Sequence, residues 1–355
     1  MSDAAAPEQD ALAQGSGHGA ILRIIAGRLA VGVGIVGGIS LLTFLLARVL
    51  PGNPAYLIAG QYADEATIRA VEHQFGLDQP LWHQYLGYAG ALLRGDFSTS
   101  FTTGRPVLID IAERFPATVE LTLFGFGMAA LIAFALGIGA AARPRGIIDR
   151  TADLVASLGA ALPGFWLGLI LIYLFFYRMR LFPAPLGRYP DGNLPYDGTG
   201  FLFIDTLAAG DGTAFLRACW SLFLPALTLA FHAQPPLLRL VRSQMRRALD
   251  SAPVRTARAT GLSARRILLG DALRLALVPV LHMMVLTLGG MLSGAVLVET
   301  VFAWPGIGQY AVQAIQTSDY PAIQGVILIA SATYALLYMA VDVAEVLIDP
   351  RLQQP

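Results

Sequence analysis

Six stretches of this chain run for 19 to 24 residues without one Asp, Glu, Lys or Arg. They are Leu29–Ala47, Leu121–Ala142, Leu154–Tyr177, Ala218–Leu238, Leu275–Val298 and Tyr320–Val341. Roughly 17–25 apolar residues in a helix cross a hydrocarbon core, so each stretch is long enough to span. Buried helices of a soluble protein are the alternative. Such a protein surrounds its core with charge, at about 25% of residues, and here only 14% of 355 residues are charged. A cleaved signal peptide is the alternative for the first stretch, but its apolar core would be about 7–15 residues. The reading is therefore an all-α, polytopic membrane protein with six transmembrane helices.

Arginine placement orients the bundle. With the N-terminus inside, the inner loops are Arg143–Asp153, carrying three Arg, and Arg239–Arg274, carrying nine. The outer segment Arg48–Glu120 has five over a much longer span, Arg178–Arg217 has four, and Glu299–Asp319 has none. Basic residues collect in short loops on the inner side, which favours both termini inside.

All 24 basic residues are Arg. A Walker A loop or a kinase needs a Lys on the phosphates, and a Schiff base needs a Lys amine, so nucleotide hydrolysis on this chain is excluded. Cys219 is the single cysteine and the five His are scattered, which leaves no disulfide framework and no metal site. Polar residues at membrane depth are few: His232 and Gln234 lie before Pro235-Pro236 in the fourth stretch, and His282 lies in the fifth. A proton relay would place an acid near mid-span; Asp342 and Glu345 stand only at the inner end of the last one.

The outer segments are not simple linkers. Pro51 and Pro54 end the first helix. Asp64 is placed to cap a helix running to about Phe75, with Gly76 ending it, and a second helix runs from Pro80 to Leu93. Trp82, Tyr85 and Tyr88 at helical spacing suit a membrane-interface belt, on a lid or on a binding surface. Leu181–Thr213 is rich in Pro, Gly and Asp and reads as an irregular insertion with no assigned role. Gly34 with Gly38, Gly164 with Gly168 and Gly290 with Gly294 are small-residue pairs of the kind that let helices approach in lipid. Pro235-Pro236 is expected to break the fourth span.

The Arg-rich inner loop has internal structure. The fourth helix continues to about Leu249, Pro253 opens a short helix over Val254–Thr260, and Gly261 suits a left-handed position after it. Ser263 is placed to cap the next helix from Ala264. Val254, Ala257, Ile267 and Leu268 would form an apolar face with Arg255, Arg258, Arg265 and Arg266 around it. A DNA-binding helix-turn-helix has similar parts, but tethering by spans at both ends forbids groove docking. Binding of anionic lipid is a further alternative.

At this loop the chain resembles the permease subunits of bacterial ABC importers for peptides and nickel. The family's coupling motif reads Glu-Ala-Ala, three residues, then Gly; Arg255-Thr256-Ala257 with Gly261, followed by Leu262 and Ser263, occupies it in a variant form. The resemblance extends through LPGNPA (50–55), GLDQP and QYL (76–86), GDFSTS (95–100), FPATVEL (115–121) and LPALTL (224–229). VETVFAWPGIGQY (298–310), SDYPAIQG (318–325) and the terminal DPR (349–351) complete it. Asn53, Ser98, Asp271 and Leu275 depart from the usual family residues.

The resemblance implies a type I importer permease fold in the bacterial inner membrane. Its parts would be a disordered cytoplasmic tail (1–20), a first span (21–50) and a periplasmic helical segment (51–116). A five-helix core (117–349) with the coupling loop 239–274 and a cytoplasmic end (350–355) would follow. It implies half of a translocation pathway for a solute delivered by a periplasmic or lipoprotein binding protein. Peptides are expected, with nickel or another small solute as the alternative, and a self-sufficient secondary transporter behind both. Partners would be a second, paralogous permease, two cytoplasmic ATPase subunits holding ATP and Mg, and membrane lipid, with no nucleic acid. Arg255, Thr256, Ala257, Gly261, Leu262 and Ser263 would couple to the ATPase. Glu299, Phe302, Pro305, Gly306 and Gly308 would form a rigid outer turn serving as a gate, or a plain loop between spans.

Overall fold

The computed structural model describes residues 27–46, 48, 63–74, 76, 78–189 and 198–348. The expected tail, the Pro51–Pro54 helix stop with its LPGNPA motif, and the terminal DPR lie outside these residues, as do the side chains of Asp342 and Glu345. In chain order the helices are α1 (Gly27–Leu46), α2 (Glu65–Gln74), α3 (Leu81–Leu93), α4 (Val107–Ala142) and α5 (Ile147–Ala161). Next come α6 (Gly164–Arg178), α7 (Leu202–Ala208), α8 (Gly212–Leu249) and α9 (Ala252–Ala259). The last are α10 (Ala264–Val301), α11 (Ile307–Gln316) and α12 (Tyr320–Ile348). Five of them, α1, α4, α8, α10 and α12, are long and apolar enough to cross a membrane, and α5 with α6 makes a sixth if the pair is one span.

That pair departs from a straight third span. The two helices are bent by 106°, because Pro163 has no N–H to continue the ladder and forces Leu162 out of the helical region. Leu162 has ψ 127° and Pro163 ψ 134°. The fourth span departs in the opposite sense. Helix α8 runs unbroken for 38 residues through Pro225, Pro235 and Pro236, where a break was expected. Within a bundle, neighbouring helices tolerate the backbone groups that proline frees. Pro235 frees the Phe231 carbonyl, and Gly159 of α5 lies so close to that oxygen that a Cβ there would collide with it.

Two compact units make up the chain: residues 1–110 with 314–355, and residues 111–313. The expected division at 116/117 falls inside α4, which begins ten residues earlier.

In the first unit α3 rests on α1. Ser40 Oγ and Tyr85 Oη are 3.0 Å apart, and the Phe44 and Tyr88 rings stack at 5.7 Å, while Trp82 stays 65% exposed. Asp64 accepts the Thr67 N–H at 2.9 Å as the cap of α2; hydrogen bonds from the Thr67 hydroxyl and then from its N–H hold the carboxyl below the usual range. Asp319 caps α12 through the Ala322 N–H. Its other oxygen accepts Ser100 Oγ at 2.5 Å and the Thr102 N–H at 3.0 Å, which joins the GDFSTS and SDYPAIQG motifs.

The second unit has two apolar cores. One unites the inner parts of α4, α5 and α8 with Val254 and Ile267; the other unites Ala117, Leu121, Leu222, Leu229, Val298, Phe302 and Trp304. Close approach uses Gly125, Gly137 and Gly159, whereas Gly34, Gly38 and Gly290 have open space where a Cβ would stand. Among the described residues, nothing lies within 4 Å of a Cβ at those last three positions.

The insertion at 181–213 is anchored rather than irregular throughout. Arg188 Nη2 reaches Glu120 Oε2 of α4 at 2.5 Å and the Gly200 carbonyl at 2.8 Å, and the Phe203 N–H donates to Glu120 Oε1 at 3.0 Å. Both charged side chains are buried, at 4% and 6% exposure. Breaking such a pair by removing one partner costs about 3–5 kcal/mol, because the other charge is left buried alone. Arg188→Met therefore lowers the thermal unfolding midpoint of the detergent-solubilised protein sharply, and Arg188→Met with Glu120→Gln recovers most of the loss. A single mutant that melts like the wild type would show that the pair contributes nothing.

Candidate functional site

The inner loop is built from α8 outward. Helix α8 ends at Leu249, and α9 starts three residues later with Pro253 in its first turn, where a missing N–H is harmless. Helix α9 closes with two bonds, from the Gly261 N–H to the Arg258 carbonyl at 3.2 Å and from the Leu262 N–H to the Ala257 carbonyl at 3.3 Å. This is the Schellman pattern, and it needs the left-handed backbone that Gly261 adopts at φ +80°. Ser263 stands at the cap position of α10 with extended dihedrals, but its hydroxyl makes no cap bond. The first turns of α10, Ile267–Ala272, are wound as π-helix.

Burial divides α9 into two faces. Val254 is fully buried, and Ala257, Leu262 and Leu268 pack with it and Ile267 against the inner core of α4, α5 and α8. The apolar face of the loop is thus turned to the bundle and is not the surface left free for another protein. What remains outward is Arg255, Thr256, Arg258, Ala259, Thr260, Gly261 and Ser263, all exposed. Of the six expected coupling residues, Arg255, Thr256, Gly261 and Ser263 share that outward face, and Ala257 and Leu262 hold it from behind. Among the described residues, no ion pair forms to Arg255, Arg258, Arg265 or Arg266. The result is a small, rigid, basic ridge of about two helical turns.

Two of the nine loop arginines behave differently. Arg242 and Arg246, on the α8 stem, turn back onto Asp149 of α5. Spacing alone could not have found this acid, since it lies 97 residues before Arg246.

At the outer end of α10, the expected turn is a packed knot around one carboxylate. Glu299 is 0% exposed. Its Oε1 accepts Thr118 Oγ1 at 2.6 Å and its Oε2 accepts the Gln309 N–H at 2.9 Å. Thr118 Oγ1 in turn accepts the Ile307 N–H at 2.9 Å. Trp304, also buried, donates its indole N–H to the Ala117 carbonyl at 2.8 Å. A Cβ on Gly306 would collide with the Glu299 carboxyl and Thr118 Oγ1, and one on Gly308 would stand 2.8 Å from Glu299 Oε2. The glycines are needed for this close approach; neither has positive φ.

Glu299, Phe302, Gly306 and Gly308 are buried together, and Pro305 is exposed at the apex. Thr118 and Trp304 were absent from the expected set. Both occur in stretches that stood out in the sequence, FPATVEL and VFAWPGIG, but 181 residues separate Thr118 from Glu299. No group of three metal-ligating side chains occurs among the described residues.

Residues 133–354 match the family model described as the binding-protein-dependent transport system inner membrane component. Residues 21–122 match the N-terminal membrane component of the same systems. The chain is 42% identical to the probable D,D-dipeptide transport system permease protein DdpB of Escherichia coli (strain K12), over 90% of this chain and 94% of that one. It is 39% identical to the di/tripeptide transport system permease protein DppB of Pseudomonas aeruginosa (strain UCBPP-PA14), over 94% and 99%. With the glutathione transport system permease protein GsiC of Escherichia coli O1:K1 / APEC it shares 36% identity, over 89% and 94%. With a family model covering more than half its length and a bundle of membrane-spanning helices, the chain belongs to the binding-protein-dependent transport system inner membrane component family, as an ABC importer permease of the inner membrane.

Proposed function

We propose that this permease forms half of a peptide translocation pathway and takes its energy through the basic ridge of α9. Membership of the family brings ATPase and solute-binding partners with it. The finer reading is that a paralogous permease supplies the other half, that two ATPase subunits bind ATP and Mg and receive α9, and that a binding protein delivers di- or oligopeptides. The observation carrying the substrate class is that relatives matching about nine-tenths of this chain bear dipeptide, di/tripeptide and glutathione transport names. The absence of Lys from the sequence supports hydrolysis on separate subunits, since a Walker A loop reaches the terminal phosphates with a Lys.

The ridge supports the docking role through its rigidity. Val254 and Leu262 fix its inner face while Arg255, Thr256 and Arg258 point outward, so a partner that grips it moves α8 and α10 with it. A ligand or partner shifts a two-state bundle only by binding the two states unequally, and a rigidly mounted ridge presents itself differently in each. The outer knot around Glu299 supports a role as a stiff hinge or gate element on the opposite side.

The test is reconstitution of the permease pair, ATPases and binding protein in liposomes. ATP-dependent uptake of labelled dipeptides is expected, with little uptake of Ni²⁺. Uptake of Ni²⁺ in preference to peptide would move the assignment to the other branch, and uptake by this chain without its ATPases would establish a secondary transporter instead.

A further inference from the structure

Among the described residues, five carboxylates are buried, and four of them, Asp110, Glu120, Glu299 and Asp319, belong to segments that the Arg distribution assigns to the outer side. Asp149 is the one on the inner side. It stands in the first turn of α5, and the structure surrounds it with donors. Arg246 Nη2 reaches Oδ1 at 2.9 Å and Oδ2 at 3.0 Å. Arg242 Nη2 lies 2.6 Å from Oδ1, and the Arg145 N–H donates to Oδ2 at 2.8 Å. Arg242 also pairs with Asp153, one turn further along α5.

The position of this clamp matters more than its strength. Arg242 and Arg246 are one turn apart on the last turns of α8, immediately before α9. Met245 between them and Ala248 just after them join Val254 of α9 in the same buried core. On the α4 side, a Cβ on Gly137 would stand 2.8 Å from Val241 Cγ1, so the stem has no room to slide freely there. The other half of the clamp belongs to α5, which runs straight to the 106° break at Leu162–Pro163. The helix that carries the ridge is thereby tied by charge to the helix that carries the bend. A displacement of α9 has a direct mechanical route to the break.

We infer that Asp149 is the positioning residue through which movement of α9 is transmitted to the bent α5–α6 pair. This rests on the docking role of α9 proposed above. Asp149 touches neither solute nor nucleotide; it acts through Arg242 and Arg246. Asp149 is 6% exposed and is met by Arg242 and Arg246 at once, so a movement of the α8 stem carries the first turn of α5 with it. Coupling between distant sites commonly amounts to roughly 5–150-fold.

The assembled transporter in liposomes tests this with two readouts, solute uptake and ATP hydrolysis. Asp149→Asn keeps the shape and removes the charge. Uptake falls about tenfold, within the usual range for site-to-site coupling, while hydrolysis changes little, so more ATP is used per solute moved. Asp149→Glu restores most of the coupling. Arg246→Gln, which leaves Arg242 on the carboxylate, gives a smaller shift in the same ratio and serves if Asp149→Asn fails to insert.

A parallel fall of uptake and hydrolysis would overturn the inference and leave Asp149 a fold-stabilising residue; an unchanged ratio in all three variants would overturn it too. A cross-link from Thr256→Cys to the ATPase surface separates this from the reading it rests on. No cross-link means that α9 does not dock, whereas a cross-link with an unchanged ratio in Asp149→Asn rejects only the clamp.

Discussion

Gly261→Val leaves the permease in the membrane and cuts ATP-driven uptake severely. The space around Gly261 is open, with nothing within 4 Å of where a Cβ would stand, so the effect does not come from a clash. It comes from the backbone. The residue has φ +80°, a region that costs an ordinary L-residue about 1–2 kcal/mol and a β-branched one more. A penalty of that size changes the population of a local state by roughly 5–30-fold, and here the local state is the turn that sets α9 at its angle to α10. A valine side chain at this position would release the Leu262 N–H from Ala257 and let the ridge drift. Gly261→Asn is the control, because Asn enters the left-handed region more readily; its uptake stays close to wild type. Proteoliposome uptake, with membrane fractionation to confirm insertion, decides the matter. Wild-type uptake in the Gly261→Val variant would remove Gly261 from any coupling role.

Gly306→Ala acts by the opposite mechanism and shows first in stability. Its φ is ordinary, and one methyl group is enough to press on the buried Glu299 carboxyl and Thr118 Oγ1. Overpacking of this kind costs about 1–3 kcal/mol. The Glu299 oxygens accept Thr118 Oγ1 and the Gln309 N–H, so the displaced carboxylate would also lose bonds in a place with no water to replace them. The thermal midpoint in detergent drops by several degrees, and uptake falls with it. Gly290→Ala provides the contrast: it lies within α10 with open space around it, where the same change is neutral or slightly stabilising. Equal melting of the Gly306 and Gly290 variants would mean that the outer turn is not held by the carboxylate.

How much of this was readable beforehand follows from the range of each interaction. Spans, orientation and the segmented inner loop depend on neighbours in the chain. Uncharged runs of span length, Arg counts in short loops, Pro253 at a helix start and Gly261 at a helix end are all local signals. The structure returns α8 to Leu249 and a left-handed Gly261. The two departures in the spans are also local in appearance but not in cause. Pro163 and Pro235-Pro236 look alike as helix breakers. One bends the chain by 106°, while the other sits in a continuous helix whose freed carbonyl is covered by Gly159. Which of these happens depends on what packs there.

The sites divide along the same line. Hydrophobic length, charge placement and glycine conformation are properties of adjacent residues, so a helical membrane protein with a basic, turn-containing inner loop is legible from the residues alone. Which face of that loop is free depends on packing between distant segments, since Val254 and Leu262 join the inner core beside α8 and the start of α10. The same packing brings Asp149 to Arg246 across 97 residues and Thr118 to Glu299 across 181. A buried charge must be met by whichever donor the fold brings close, and sequence distance does not enter into that requirement.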